Sequence, residues 1–365
     1  MSVYKGRLGV QQRVLPSYRA PFFDLLAASC AGGMSLFAGE ALPEENIQAG
    51  ELEIGKLVAA ENLQLFSGPF YLCYQRGYLD WLADWNPDAL IAEANPRYLS
   101  TPAAVRWMRS RGRPVLGWGL GAPPSGSPQL IREWMGKRWR TFLNRFDGLI
   151  AYSQRGADEY AALGFPRGKI FVAHNAVSPA PKGTVPGKPL TFNLHPVLLF
   201  VGRLQARKRI DSLLRACAEM PDSPRLVIVG DGPEREGLEA LAREVYPSAE
   251  FAGARHGDEL EPYFASADLF VLPGTGGLAV QQAMSHGLPV IVAQGDGTQD
   301  DLVREGNGWQ IPPGDYGALV STLREALSDV SRLRRMGAES YRIVSEEINL
   351  EVMVGAFVGA LNSVS

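Results

Sequence analysis

A glycine-rich turn from Gly274 to Leu278 has the composition of an anion-binding loop. It lies between an apolar run, Leu269 to Leu272, and a segment of helix-forming composition, Leu278 to Met284. Glycine lets the backbone approach a ligand closely, and the amides at a helix start carry the positive end of the helix dipole. The turn is therefore predicted to bind an anionic group through Gly274, Thr275, Gly276, Gly277 and Leu278.

Two permanent cations follow an earlier apolar run. Gly202-Arg203-Leu204 comes directly after Pro196 to Val201, and Lys208 lies four residues beyond this tripeptide. A guanidinium fork and an ammonium could bracket a diphosphate. Further turns follow the next two apolar runs, at Gly230 and at Phe251 to Gly253. The spacing indicates that these loops gather at one edge of a sheet.

The elements that would position these loops alternate between strands and helices at the spacing of βαβ units. This alternation predicts a parallel sheet with helices on both faces, and three further helices are expected from Asp315 to the end. The first half repeats the pattern, with strands expected at 8–16, 34–37, 89–92, 113–118, 147–153 and 169–175. Between Gly39 and Tyr78 the pattern indicates only a weak strand near Leu63 to Phe66. The fold class is therefore α/β.

A proline-rich stretch divides the chain. The segment from Ser178 to Pro189 contains four prolines and cannot form regular structure. We predict an N-terminal domain over 1–180, a linker over 181–190 and a C-terminal domain over 191–345. The last helix, 346–365, is expected to pack back on the N-terminal domain.

Composition excludes several classes of protein. The chain has 365 residues, 46% hydrophobic and 21% charged, which is typical of a globular protein with two domains. A formal net charge of −3 gives no indication of nucleic acid as a partner. We expect neither a signal peptide nor a membrane span, since Met1 to Gly9 has no apolar run and no long apolar segment follows, and three widely spaced cysteines argue against disulfides or zinc. The expected location is the cytoplasm.

A basic amphipathic helix is predicted over Ile131 to Phe146. Its apolar residues recur at helical spacing and include two tryptophans, whereas five arginines and lysines cover the remaining positions. The helix could pack on the sheet with a solvated basic face. Alternatively, it could dock on an anionic membrane at the inner face of the cell.

The loops in this order resemble the nucleotide-sugar domain of the GT-B glycosyltransferases, specifically the large retaining family 4. The family's Gly-Arg-Leu motif and following lysine appear as Arg203 and Lys208, so the resemblance implies that both clamp the donor diphosphate and act in catalysis. Its closing motif appears as Asn307-Gly308 with Pro313-Gly314-Asp315. The implied donor contacts are Gly202, Arg203, Lys208, Gly230, Phe251, Gly253, Gly274, Thr275, Gly276, Gly277, Leu278 and Gln282.

The first half resembles the acceptor domain of the same family. Arg13-Val14-Leu15-Pro16 is similar to its first strand and acceptor loop, and 147–153 and 164–177 match its end. The resemblance covers most of the chain apart from about 39–85. It implies two facing Rossmann-like domains and an acceptor side that includes Arg13, Tyr18, Arg19, Trp118, Leu120 and Gly121.

Three polar residues usual in the family are missing. The two glutamates of its glycine-rich stretch are replaced by Gly274 and Gln282, and its histidine after the strand at Val115 is replaced by Leu120. Glutamine can hydrogen-bond ribose but cannot act as an acid or base.

The resemblance implies a retaining hexosyl transfer without a metal. The donor would be a nucleoside diphosphate sugar of the UDP or GDP type, and the acceptor a hydroxyl of a glycan or lipid-linked molecule in cell-surface polysaccharide or glycolipid synthesis. The missing residues leave a second interpretation open, a weakly active or inactive nucleotide-sugar-binding subunit of a glycosyltransferase complex. A nucleotide-sugar epimerase would need acidic and histidine residues that the sequence does not place in the cleft.

Overall fold

The structure is a computed structural model that describes residues 3–45, 47–66, 68, 71–121, 129–192, 195–221, 223–295 and 297–365. For Glu44 and 129–135 it describes the backbone alone. The chain divides into two compact units, Met1–Val177 with Leu350–Ser365 (unit 1) and Ser178–Asn349 (unit 2). These divisions fall a few residues from the predicted 180 and 345, inside the proline-rich stretch and just before the last helix.

Strands and helices alternate through most of both units. The strands are β1 (Leu8–Val14), β2 (Met34–Gly39), β3 (Lys56–Leu65), β4 (Leu72–Arg76), β5 (Ala89–Glu93), β6 (Val115–Gly119), β7 (Gly148–Ala151), β8 (Ile170–Val172), β9 (Val197–Val201), β10 (Arg225–Val229), β11 (Glu250–Gly253), β12 (Leu269–Leu272), β13 (Val290–Ala293) and β14 (Gly308–Ile311). The helices are α1 (Ala20–Ala28), α2 (Tyr78–Trp85), α3 (Thr101–Arg109), α4 (Gln129–Leu143), α5 (Gln154–Ala162), α6 (Ile210–Ala218), α7 (Arg235–Val245), α8 (Glu261–Ser266), α9 (Ala279–Ser285), α10 (Thr298–Leu302), α11 (Tyr316–Ser328), α12 (Val330–Glu346) and α13 (Leu350–Val364).

Unit 1 contains an eight-stranded sheet in the order β4-β3-β2-β1-β5-β6-β7-β8. All its pairings are parallel except β3 with β4, which is antiparallel. Strand order reverses between β1 and β5, because the chain first builds outward from β1 to β4 and then continues on the other side. Ligands of open α/β sheets bind at such a reversal, outside the carboxyl ends of the strands.

Unit 2 contains a six-stranded parallel sheet in the order β11-β10-β9-β12-β13-β14. Its central strands are fully buried apolar runs such as Leu269–Leu272, as expected for parallel strands covered on both faces. The order reverses between β9 and β12, so the loops after these two strands lie at the second reversal. The predicted doubly wound α/β architecture is confirmed in both units.

The edge strand β4 and the helix α2 were not predicted. Their segment shows mixed polarity, and its aromatic residues find partners distant in sequence. Tyr78 and Trp81 of α2 stack on Phe37 of β2, with ring centroids 5.3 and 5.2 Å away. The Trp81 indole donates to the Ser35 hydroxyl at 2.9 Å. Tertiary packing therefore stabilises these elements where local periodicity is weak.

The last helix, α13, belongs to the core of unit 1. Its Phe357 packs edge-on against Phe22 of α1 and Trp118 of β6, with centroids 5.0 and 4.9 Å away. These three side chains are fully buried or nearly so. Among the described residues, no helix is long and apolar enough to cross a membrane.

Candidate functional site

The loops after β9 and β12 meet at the strand reversal of unit 2. The Thr275 amide donates to the Arg207 carbonyl at 3.1 Å, which ties the glycine-rich turn to the single helical turn at Ala206–Lys208. The Lys208 ammonium donates to the Thr275 carbonyl at 2.9 Å and also to the Gly276 carbonyl. The structure therefore brings together Lys208 and the turn, two features that the sequence predicted for one site.

Lys208 carries a buried charge that the described residues do not neutralise. Its side chain is 5% exposed, and no carboxylate pairs with it within the part of the chain that the structure describes. Burial, and to a lesser degree the charge of Arg207, lowers the pKa of Lys208 from 10.5 to about 8. A buried ammonium without a counter-ion is costly. An anionic ligand at this position would supply the missing negative charge.

Two exposed guanidinium groups lie on the same loop as Lys208. Arg203 is exposed, and over the described ranges its side chain has no hydrogen-bond or ion-pair partner. Arg207, which the sequence did not single out, is also exposed and donates to the Thr275 carbonyl at 3.2 Å. Of these two arginines, Arg203 remains available to a ligand.

The turns after β10 and β11 continue this edge of the sheet. The Leu204 amide donates to the Asp231 carbonyl at 2.9 Å, and the Gly230 amide donates to the Gly253 carbonyl at 2.8 Å. A Cβ atom on Gly230 would lie 1.9 Å from the Gly202 carbonyl oxygen, so only glycine allows the loops to approach this closely. Phe251, the second residue of β11, is half-buried.

The glycines of the turn do not all act as the sequence predicted. Gly274 faces the protein rather than a ligand, because a Cβ there would lie 2.1 Å from the Arg207 carbonyl oxygen and 2.4 Å from the Lys208 Cα. Gly277 faces inward too, since its Cβ would lie 2.4 Å from the Leu272 side chain. Gly276 has a left-handed φ of 66° and lies next to the Arg207 and Lys208 side chains. Two of the three glycines therefore allow tight packing and not ligand approach.

The amides of Gly276, Gly277 and Leu278 are hydrogen-bond donors that remain unused on this turn. Over the residues the structure covers, none of the three donates to a backbone carbonyl. The helix behind them, α9, begins at Ala279 and has seven residues, which limits its dipole. Free amides, rather than a long helix, provide the positive potential here.

Gln282 differs from its neighbour Gln281. The Gln281 side chain is buried and donates to the Ile348 carbonyl at 2.7 Å, so it holds α9 in place. Gln282 is half-buried, and its amide group has no partner among the described side chains and carbonyls. Of the two glutamines, Gln282 is therefore the one that can reach a ligand.

In unit 1, Arg13 lies at the strand reversal, at the end of β1. Its guanidinium donates two hydrogen bonds to the Glu45 carboxylate, at 2.9 and 2.7 Å, and its amide donates to the Glu93 carboxylate at 3.0 Å. The pairing lowers the pKa of Glu45. Burial raises the pKa of Glu93 to about 7, although the Arg13 amide opposes this shift. Arg13 was predicted to contact an acceptor, but its charge is neutralised within the protein.

Two further residues predicted on the acceptor side lie inside unit 1. Trp118 is 2% exposed and Arg19 is 7% exposed. Arg19 donates to the Ala176 carbonyl at 3.2 Å and to the Asn175 side chain, and its guanidinium lies 5.8 Å from the Trp118 ring. Both side chains join β6 and the loop after β1 to the core, so the structure does not support direct contact with an acceptor.

Two of the other three predicted acceptor-side residues are accessible. Tyr18 is 44% exposed and Leu120, at the position of the family's histidine, is 52% exposed. Gly121 is buried against Gly156 and Glu159. The remainder of the predicted loop, 122–127, lies outside the described residues, as do the side chains of 131–135 in α4.

Three residues of these sites were missed by the sequence reasoning. Arg207 belongs to the Arg-Lys-Arg run 207–209, and that run was the available signal. Glu93 ends a buried strand at the reversal, so strand order would have identified it. Glu45 carried no signal, because its pairing with Arg13 depends on the folded loop.

Two protein-family models match the chain. The model described as glycosyl transferases group 1 matches residues 195–329. The model described as glycosyl transferase 4-like domain matches residues 34–176. Each match falls within one of the two units.

Curated relatives and solved structures agree with these models. The chain is 39% identical over 140 residues to a sulfoquinovosyl transferase of Arabidopsis thaliana, covering 37% of this chain and 27% of that protein. It is 34% identical over 185 residues to a GDP-mannose-dependent alpha-mannosyltransferase of Mycobacterium tuberculosis, covering 49% of this chain and 47% of that protein. The chain therefore spans less than half of the length of these relatives.

Two solved structures share the fold along almost the whole chain. The lipopolysaccharide outer core galactosyltransferase WaaB superimposes with a TM-score of 0.70 at 18% identity, covering 98% of this chain and 99% of that one. HepE of Anabaena, in complex with UDP, gives a TM-score of 0.70 at 16% identity with full coverage of both chains. The chain belongs to the glycosyltransferases of group 1, the family 4 type, and has the GT-B fold.

Proposed function

We propose that the chain transfers a hexosyl group from a nucleoside diphosphate sugar to a hydroxyl acceptor, with retention of configuration. Unit 2 binds the donor, and unit 1 binds a glycan or lipid-linked acceptor. The observation that carries this proposal is Lys208, a buried ammonium at the strand reversal without a counter-ion among the described residues. A diphosphate supplies the negative charge that this position lacks.

The residues of unit 2 have distinct tasks in this proposal. Lys208 and the amides of Gly276 to Leu278 bind the diphosphate from one side, and Arg203 closes on it from solvent. As the bond between the anomeric carbon and the diphosphate breaks, negative charge grows on the leaving oxygen, and these groups stabilise it. The acceptor oxygen bonds to the anomeric carbon, and its proton passes to the leaving oxygen. No protein carboxylate or histidine is required at positions 274, 282 or 120.

The relatives support a nucleotide-sugar donor but differ in the base. Several are named GDP-mannose-dependent mannosyltransferases, whereas the solved structure of HepE contains UDP or UDP-glucose. A thermal-shift screen with UDP, GDP, ADP and dTDP and their sugars identifies the donor. Hydrolysis and transfer assays with the stabilising sugar nucleotide then test the proposed function. A sugar nucleotide that stabilises the protein but is neither transferred nor hydrolysed with any acceptor from its native glycan pathway would contradict the transferase function. That result would support a nucleotide-sugar-binding subunit.

That second function is favoured by one observation. Gly274 and Leu120 replace residues with ionisable side chains, and the packing around Gly274 has no room for a larger residue. A nucleotide-sugar-binding subunit needs Lys208 and the amides but no acid or base. The transfer assay separates the two functions, because both predict the same donor binding.

Arg203→Ala is expected to weaken binding of the nucleoside diphosphate about tenfold. The guanidinium is exposed and unpaired among the described residues, so its loss removes one charge-assisted hydrogen bond, about 1.5 kcal/mol, without disturbing the fold. Binding of the bare nucleoside should not change. Calorimetry with both ligands measures this, and Arg243→Ala, in the last turn of α7, is the matched control. If wild type and Arg203→Ala bind the diphosphate with equal affinity, Arg203 does not contact the ligand.

We also propose that α4 docks on anionic lipid, through the exposed Lys137 and Arg138. Each cation near an acidic bilayer contributes about 1 kcal/mol. The double variant Lys137→Gln, Arg138→Gln should therefore bind phosphatidylserine vesicles at least tenfold more weakly than wild type, with less salt dependence. Vesicle sedimentation measures this, with Arg106→Gln, Lys169→Gln as control. Salt-independent binding, or equal binding by both double variants, would indicate that α4 only packs on the sheet.

A further inference from the structure

A cavity in unit 1 lies beside the strand reversal, and the charged residues that line it are acidic. It has a volume of about 1160 Å³ and follows β3 and the carboxyl ends of β1 and β2. The segment 47–50 forms one wall, because the Gly50 amide donates to the Leu15 carbonyl at 2.9 Å and the Ser17 amide donates to the Gln48 carbonyl at 2.9 Å. The cavity is therefore built from secondary structure and anchored loops of one unit.

The charged side chains around the cavity are acidic. Glu40 and Glu61 line it, and no lysine or arginine does so among the described residues. The segment 40–55 contains five glutamates and no lysine or arginine. Glu61 is paired with Arg76 at 3.0 Å, whereas the Glu40 carboxylate is exposed and has no partner in the described part of the chain. The Glu40 carboxylate is therefore available to bind a ligand.

Arg13, at the end of β1, does not compensate for the charge of Glu40. Arg13 is held by Glu45 through two hydrogen bonds, and the second oxygen of Glu45 also accepts from the Leu42 amide at 2.8 Å. Leu42 lines the cavity. Arg13 therefore positions the wall of the cavity and has no free charge with which to bind a phosphate.

The rest of the cavity lining is mostly apolar and includes a few side-chain amides. Val14, Leu15, Leu42, Ile47 and Leu57 provide an apolar surface. Gln64 of β3 provides an amide group whose Oε1 atom is without a hydrogen-bond partner among the described residues. The Asn62 amide is already used, because it donates to the Arg13 and Glu40 carbonyls and accepts from the Gln75 side chain. Such a lining suits a molecule with both an apolar portion and hydroxyl groups.

We propose that the acceptor is a hydroxylated amphiphile whose part in this cavity carries an amine or no charge, and carries no phosphate or carboxylate. This proposal rests on the proposed transfer function and narrows its acceptor. A phosphate would lose hydration and face Glu40 in a lining that contains no lysine or arginine among the described residues, whereas an ammonium would pair with Glu40. Lipid-linked diphosphates are thereby excluded as acceptors in this cavity.

Three matched probes test the charge class. They are octyl glucoside, its 2-amino-2-deoxy derivative and its 6-phosphate, each titrated calorimetrically into the full chain below the critical micelle concentration. We expect the amine to bind at least as tightly as the neutral glycoside, and the phosphate to bind about tenfold more weakly, with the difference shrinking in high salt. Equal or tighter binding of the phosphate would overturn the proposal. Binding of none of the three would do the same.

Charge reversal at one residue gives the second test. Glu40→Lys should reverse the order of the amine and the phosphate. Glu51→Lys, an exposed glutamate of the same segment that does not line the cavity, should leave the order unchanged. The same shift in both variants would indicate a general surface field and overturn the proposal. Nucleotide titrations of each variant keep the two proposals distinguishable, because donor binding in unit 2 should survive whatever the acceptor result.

Discussion

Restoring a glutamate at Gly274 is expected to lower the melting temperature of unit 2 by about 5–10 °C and abolish nucleotide binding. The Cβ of any side chain there would lie 2.1 Å from a backbone oxygen of Arg207, and a clash with backbone cannot be relieved by a rotamer change. Forcing the two loops apart costs about 3 kcal/mol. It also moves Lys208 away from the carbonyls of Thr275 and Gly276.

Gln282→Glu is the matched control for this prediction. It restores the second glutamate of the family at a half-buried position with an unpartnered amide, so the melting temperature should change by about 1 °C or less. Thermal unfolding and nucleotide calorimetry of both variants provide the measurements. A Gly274→Glu variant that melts and binds like wild type would show that the turn adopts another backbone path.

The affinity for nucleoside diphosphate is expected to fall as the pH rises through about 8, and this step should vanish in Lys208→Met. Because burial lowers the pKa of Lys208 to about 8, its ammonium deprotonates within this range and loses its charge toward the diphosphate. At pH 7 the variant should bind about 100-fold more weakly. Arg203→Ala should be weaker at every pH and keep the step, so the two variants distinguish the buried cation from the exposed one.

The stability of the free protein should change with the opposite sign. The unfolded chain holds the Lys208 proton up to about pH 10.5, whereas the folded chain releases it near pH 8. Between these values the unfolded state binds more protons, so the free energy of unfolding contributed by this group rises with pH. Below pH 8 both states are protonated and the full cost of burying the charge is present. Affinity and stability that moved together would exclude a buried, unneutralised Lys208.

Local sequence signals were sufficient for most of the strands and for the meeting of Lys208 with the glycine-rich turn. The bounds of β12 agree with the predicted run Leu269–Leu272, because a buried parallel strand is a short apolar run between turn residues. Lys208 and the glycine-rich turn were predicted to meet because both follow strands in a βαβ series. Lys208 and the turn lie together because β9 and β12 are neighbours in the sheet. The alternation of strands and helices along the sequence predicts a sheet of this kind.

The side-chain roles depended on contacts that no local pattern contains. Trp118 has a ring and an indole donor suited to binding a sugar, but Phe357, more than 200 residues later, covers it. Gly274 has the residue type of a ligand-contacting loop, but it faces the Arg207 backbone. Arg13 is neutralised by Glu45 in a segment without periodicity. The residue types therefore indicated which chemical groups the sites contain. Packing determined which of these groups remain accessible to a ligand.

The position of α13 in unit 1 has a consequence for the order of events on the ribosome. Unit 2 is continuous from Ser178 to Asn349, whereas unit 1 needs Leu350–Ser365 to complete its core. While unit 2 is being translated, Phe22 and Trp118 have no Phe357 to pack against. Domains usually fold in order from the N-terminus during synthesis, but unit 1 cannot complete its core before unit 2 has been translated. The first half of the polypeptide emerges early and acquires its last packing contacts only after the second half has been made.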